Sequence, residues 1–161
     1  MYSLSREVYF PESSGIKDQV LVWFSKDGAK YRSFCRAMSN DGFLCINAIW
    51  GDAEEKDIFP LLARFLTSIS SPVILIGHSN HVYEYDLSPI DRVVAFDLPG
   101  RVKTGRPLLY LFSAPTYWRR KRWLRRISTQ GSRNRWMKVP RMDEEQGVVY
   151  VQSMIKAWLL S

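Results

Sequence analysis

The chain has 161 residues, 46% of them hydrophobic and 14% aromatic, a composition that suits one folded domain with a sizeable core and excludes a disordered or fibrous chain. Its apolar stretches, such as Pro72 to Ile76 and Pro107 to Phe112, fall well short of the roughly 20 residues of a membrane-spanning helix, and MYSLSREVYFPESS has no basic-then-apolar leader pattern, so a soluble, cytoplasmic protein is expected. The formal charge of +7 is unevenly spread: Arg101 to Arg141 holds 13 of the 23 basic residues with no acid between Leu98 and Met142, and the remainder carries more acids than bases.

In chain order, Gln19 to Phe24 (QVLVWF) is a short apolar run that predicts a strand. SKDGAK then turns the chain into a helix with Tyr31, Phe34, Cys35 and Met38 on one face, ended by Asn40-Asp41-Gly42. Phe43 to Trp50 (FLCINAIW) is a second strand. A longer helix follows, with Ile58, Leu61, Leu62, Phe65, Leu66 and Ile69 as its apolar stripe, Asp57 as N-cap and Pro60 in the first turn. Pro72 to Ile76, Arg92 to Phe96 and Pro107 to Phe112 are three further strands without alternation, the pattern of strands covered on both faces. The chain ends in a helix that starts near Asp143-Glu144-Glu145 and buries Val148, Val151, Met154, Ile155, Trp158 and Leu159. Strands alternating with helices predict a three-layer α/β domain over residues 1–161, its sheet mostly parallel with helices on both faces. Cys35 and Cys45 lie in apolar segments and read as buried free thiols, with neither a disulfide framework nor a metal knuckle.

Several short motifs bear on chemistry. His78 and His81 form an H-x-x-H near Glu84 and Asp86, but zinc takes three or four ligands from more than one segment and neither cysteine has the spacing to help, so no metal is expected. Asp97-Leu98-Pro99-Gly100 has the D-x-x-G form of a phosphate sensor without the G-x-x-x-x-G-K-[ST] loop that must accompany it, and reads as a turn. Asp52, Glu54, Glu55 and Asp57 stand at a helix start, where carboxylates complement the dipole. No cofactor is implied.

PVILIGHSNH places a serine just after a strand, in the manner of the G-x-S-x-G turn that exposes a nucleophile, with His81 where the last glycine belongs. Together with the order of the other segments, this resembles the α/β-hydrolase fold from about Gln19 onward. IDRVVAFD resembles the strand after the nucleophile helix and RPLLYLF the strand that delivers the acid. WMKVPRMDEEQGVVYVQSMIKAWL resembles the last strand, the histidine loop and the closing helix. The resemblance implies Ser79 as nucleophile, with the amide of Asn80 and one near Lys26 as oxyanion donors. A serine of this kind needs a histidine to take its proton and a carboxylate to orient that histidine, in the order Ser, Asp or Glu, His. The chain's histidines, His78 and His81, both precede the acid's place. Ser113, Ala114, Pro115 and Thr116 stand where the acid is expected, and Arg141, Met142 and Asp143 where the histidine is. The implied protein is a catalytically degenerate member that works by binding; the alternative is a small serine esterase or thioesterase.

The segment TYWRRKRWLRRISTQGSRNRWMK supplies a surface for such binding. Wound as a helix, it gathers Tyr117, Trp123, Leu124 and Ile127 on one side and Arg119, Lys121, Arg122, Arg125 and Arg126 on the other, with Trp118 among the cations and Arg120 on the apolar side. Arginine suits bidentate contacts to phosphate or carboxylate, and Trp118 and Trp136 could stack on bases. The expected partner is a nucleic acid or an acidic protein, ahead of a membrane because no lipidation signal accompanies the cluster.

Overall fold

The computed structural model describes residues 4–11, 18–78, 88–96, 105–112, 134–139 and 145–160. These form one seven-stranded sheet in the order β1-β3-β2-β4-β5-β6-β7, from Ser5–Tyr9 (β1), Val20–Ser25 (β2), Leu44–Ile49 (β3), Val73–His78 (β4), Ile90–Phe96 (β5), Leu108–Phe112 (β6) and Arg135–Lys138 (β7). All neighbours pair in parallel except β1, which runs antiparallel to β3 with Glu7 opposite Asn47 and Tyr9 opposite Cys45.

The apolar runs sit where their composition requires. β2 and β6 are buried along their whole length, and successive residues feed two separate cores. Val20, Val22, Phe24, Leu75, Val93, Ala95, Tyr110 and Phe112 face one side with Leu62, Phe65 and Leu66 of a helix at Glu55–Leu66 (α2). Leu21, Trp23, Ile74, Ile76, Val94, Phe96, Leu109 and Leu111 face the other with Phe34, Cys35 and Met38 of a helix at Arg32–Asn40 (α1), and Val151, Ile155 and Trp158 of a helix at Glu145–Leu160 (α3). The predicted three-layer, mostly parallel α/β architecture is thus the one observed. Right-handed crossovers account for the two sides: the chain steps one way from β2 to β3 through α1 and the other way from β3 to β4 through α2, so the helices land on opposite faces.

Asp41, just past the end of α1, accepts bonds from Gln152 and Lys156 of α3, the latter at 3.1 Å, and so ties the two helices of one layer together. Cys35 and Cys45 are both completely buried and free. Burial, and then a hydrogen bond with the Cys35 thiol, pushes the Cys45 thiol well up.

Two features differ from the sequence expectation. The sequence gives no sign of β1: Arg6 and Val8, with the preceding Leu4, face the α2 side while Glu7 and Tyr9 face the α1 side, so neither face reads as an apolar stripe. α2 begins two residues before the expected N-cap Asp57. Glu54 is the N-cap, without a side-chain capping bond, and Asp57 lies in the first turn with its N–H bonded to the Glu54 carbonyl at 2.8 Å. Pro60 is therefore inside the helix, where it gives no N–H to the Lys56 carbonyl. Both residues are exposed, so water can serve that carbonyl. Among the described residues no helix is long and apolar enough to cross a membrane.

Candidate functional site

In a sheet of this kind the ligand crevice lies outside the carboxyl ends of the strands, where the direction of winding reverses. Here that point falls between the adjacent parallel strands β2 and β4. β2 ends at Ser25 and β4 at His78, so Lys26 and Ser79 are the first residues beyond neighbouring strand ends. β4 is anchored on both sides, with Trp23 opposite Ile76 on β2, and Gly77 and His78 opposite Ala95 and Phe96 on β5. β6 ends at Phe112 on the same edge, and the basic aromatic segment follows it in sequence.

The turn after β2 is held by its own backbone and by one buried amide. The Ser25 carbonyl accepts the Trp50 N–H at 3.0 Å and the Lys26 carbonyl the Gly51 N–H at 3.2 Å. Asp27 Oδ1 accepts the Ala29 N–H at 3.1 Å. Below the turn, Asn47 Nδ2 donates to the Gly28 carbonyl at 2.8 Å and to Glu7 Oε1 at 2.9 Å. Gly28 must be glycine for room: a Cβ there would lie 2.5 Å from Ile49 Cδ1 and 2.6 Å from Asn47 Nδ2. Glu7 is gripped in turn by Arg32, whose Nε lies 3.1 and 3.0 Å from the two carboxylate oxygens and whose Nη2 lies 2.9 Å from Oε2. The Arg32 bond, aided by Asn47 and opposed by burial, holds the Glu7 carboxyl below its ordinary value.

Aromatic packing completes the floor. Tyr31 stacks on Trp23 with ring centroids 4.0 Å apart, Phe34 meets Trp23 edge-on at 5.3 Å, and Phe96 lies parallel at 5.5 Å. Burial, with the charge of Asp27 adding to it, pushes the Tyr31 phenol up to about 12, so it stays neutral and can donate but not serve as a base near neutral pH. Trp23 Nε1 and Asn47 Oδ1 are buried and meet no hydrogen-bond partner among the described residues. Among the described residues no group of three His, Cys, Asp or Glu side chains is arranged to hold a metal ion.

No family model matches the chain, and no curated protein matches its sequence. Solved structures do match. XC6422 of Xanthomonas campestris, an α/β serine hydrolase without a lid, is similar over 98% of this chain and 88% of its own, with a TM-score of 0.70 at 12% identity. Est1E of Butyrivibrio proteoclasticus is similar over 99% of this chain and 97% of its own, with a TM-score of 0.71 at 10% identity. A YdeN-like hydrolase of Pectobacterium atrosepticum covers 87% of this chain and 92% of its own, with a TM-score of 0.56 at 17% identity. The fold is that of the α/β hydrolases.

Within the α/β-hydrolase fold, the strand that runs into Gly77-His78-Ser79 is β4, and its neighbour β2 leads to Lys26, whose side chain is exposed. Ser79 and Asn80 lie outside the described residues, as do His81, Asp97 to Gly100, Trp118, Arg119, Lys121, Arg122, Arg125 and Arg126. Trp136, on β7, is half-buried: it packs against the α2-side core with its ring 5.7 Å from that of Phe112. Part of the ring is thereby committed to the sheet. The residues that sequence reading passed over are Glu7 and Asn47. Asn47 had a signal, since it is the polar residue inside the otherwise apolar FLCINAIW, and a lone amide in a buried strand must find partners.

Proposed function

We propose that the protein is a non-catalytic α/β-hydrolase-like binding protein that engages an anionic partner through the basic, aromatic-rich stretch from about Arg101 to Arg141. The observation that carries this reading is the pairing of strand order with histidine positions. β6 and β7 follow β4 in the order expected for the strands before the acid and histidine loops, yet the chain has two histidines, His78 and His81, both before β5. Ser79 then has no later imidazole to take its proton, and His81, two residues on, points away from it if the chain is helical there. Thirteen cations without an intervening acid repel one another unless an anion offsets them, and the richness in arginine favours phosphate. Nucleic acid is the partner of first choice, and an acidic protein is the second.

The structural neighbours XC6422 and the YdeN-like protein are hydrolases, which supports a second reading, a serine esterase or thioesterase with Ser79 as nucleophile and amides near Asn80 and Lys26 as oxyanion donors. A fluorophosphonate probe separates the two. No labelling, and no ester or thioester hydrolysis above background, is expected; labelling that disappears in Ser79→Ala would put the enzyme first. Titration with single- and double-stranded nucleic acid at two salt concentrations tests the partner. Binding should weaken with salt, and replacing Arg119, Arg122, Arg125 and Arg126 with glutamine should flatten that dependence by about one counterion-release term per lost contact. Absence of binding at low salt would move the assignment to an acidic protein.

A further inference from the structure

Cys35 and Cys45 are the chain's two cysteines, and the fold brings them together from different layers. Cys45 lies on β3 and Cys35 on α1, which packs directly on that strand. Both belong to the core under α1 and α3, both are completely buried and free, and a hydrogen bond joins the two thiols. Sulfurs already in contact across two elements have to close by only roughly 2 Å to reach the length of a disulfide.

We propose that the pair is a reversible oxidation site, at which a low-molecular-weight disulfide such as glutathione disulfide converts the two thiols into a Cys35–Cys45 bond that staples α1 to β3. The exchange balances without a further reactant. One cysteine, as thiolate, attacks glutathione disulfide and releases one glutathione thiol; the second cysteine then attacks the mixed disulfide and releases the other. One S–S bond breaks and one forms, and two electrons and two protons pass from the pair to glutathione. Contact between the sulfurs favours the second step over a lasting adduct, for which the closed core has no room. The same core argues against a thiophilic metal ion, since two buried thiolates and a cation bring charge into apolar surroundings, whereas a disulfide is neutral. Burial also sets the condition for the reaction: it keeps the Cys45 thiol protonated, so oxidation waits for α1 to move off β3. Once formed, the bond closes a loop that contains Asp41, the residue that holds Gln152 and Lys156 of α3. Oxidation therefore fixes the whole helical layer on that side of the sheet, including the helix that follows the turn after β2.

The test is an equilibration of the full wild-type chain in mixtures of reduced and oxidised glutathione, read by intact mass after acid quenching. Equilibrium is approached both from the reduced chain and from chain oxidised while unfolded, so that slow access to the core does not decide the result. A loss of about 2 Da, reversed by dithiothreitol and mapped to a Cys35–Cys45 peptide, is expected. A bond that stabilises the fold is stabilised by it in return. In native buffer it should therefore persist at a ratio of reduced to oxidised glutathione that is roughly tenfold to a hundredfold more reducing than in urea, the range for closing a loop of about 10 residues. The urea midpoint of the oxidised chain should rise accordingly, and that of Cys35→Ala should not respond to oxidised glutathione. Accumulation of glutathione adducts without the bridge overturns the proposal. So does a bridge that opens in native buffer as readily as in urea, or an oxidised chain whose urea midpoint is unchanged or lower.

Discussion

Asn47 is a small residue with several dependants. Its amide serves the Gly28 carbonyl of the turn after β2 and the carboxylate of Glu7 on β1, so one side chain joins three segments of the chain from a completely buried position. Removing it takes one of two donors from the Gly28 carbonyl, which keeps the Tyr31 N–H at 3.1 Å, deprives Glu7 of a donor and leaves a void. Asn47→Ala should lower stability by about 2–3 kcal/mol in urea denaturation. Glu7 adds a pH dependence whose sign follows from its lowered carboxyl. A carboxyl that is harder to protonate in the folded state adds stability that is present above its unfolded value, roughly 4.3. That stability is lost as pH falls through the lower folded value. Between about pH 5 and pH 3, wild-type stability should fall more steeply than that of Glu7→Gln, the difference being read from urea midpoints at each pH. Neither residue was legible as part of a network. Glu7 lies in a strand whose two faces mix apolar and charged residues, and the partner that explains it, Arg32, is 25 residues away.

At the scale of elements, what the sequence made legible was whatever local periodicity encodes. β2 to β6 were readable as apolar runs, because burial from both faces removes alternation, and α1 and α3 were readable from their stripes. The start of α2 was not. A proline is usual in a first turn, and that rule drew the expected boundary toward Pro60, whereas the first turn closes earlier, with the Asp57 N–H on the Glu54 carbonyl and the helix running from Glu55. The interior proline has a testable cost. Pro60→Ala restores an N–H for the Lys56 carbonyl at an exposed position, and it should raise stability by roughly 1–2 kcal/mol. That is less than the ~3 kcal/mol of a mid-helix proline, because the unfolded chain regains freedom at the same time. An unchanged or lowered urea midpoint would mean that the ring of Pro60 contributes packing that exposure does not register. Of the candidate site, the sequence revealed which strand ends adjoin it, through Gly77-His78-Ser79 and SKDGAK; the amide beneath the second of these, Asn47 of β3, shows there only as the polar residue of FLCINAIW, and its partner Glu7 comes from the unexpected β1.

At the scale of the molecule, the sheet divides the interior into two cores that, among the described residues, share strands but no helices: α2 covers one and α1 with α3 the other. Cys35 on α1 and Cys45 on β3 lie within the second core as free thiols, hydrogen-bonded to each other and closed to solvent. The pair is in effect a native clock for the opening of that layer. A thiol reagent can reach either sulfur only when α1 lifts from β3, and the Asp41 contacts to Gln152 and Lys156 oppose that motion. Both cysteines should therefore label at one rate, slow in the native protein and complete in denaturant, and Asp41→Asn should quicken both together by weakening the tie between α1 and α3. Mass spectrometry of partly labelled protein gives the readout: singly modified chains scarce, doubly modified chains accumulating. A population modified at Cys35 alone would instead reveal an α1 that frays by itself, and the waiting time before modification would then measure the helix and not the layer.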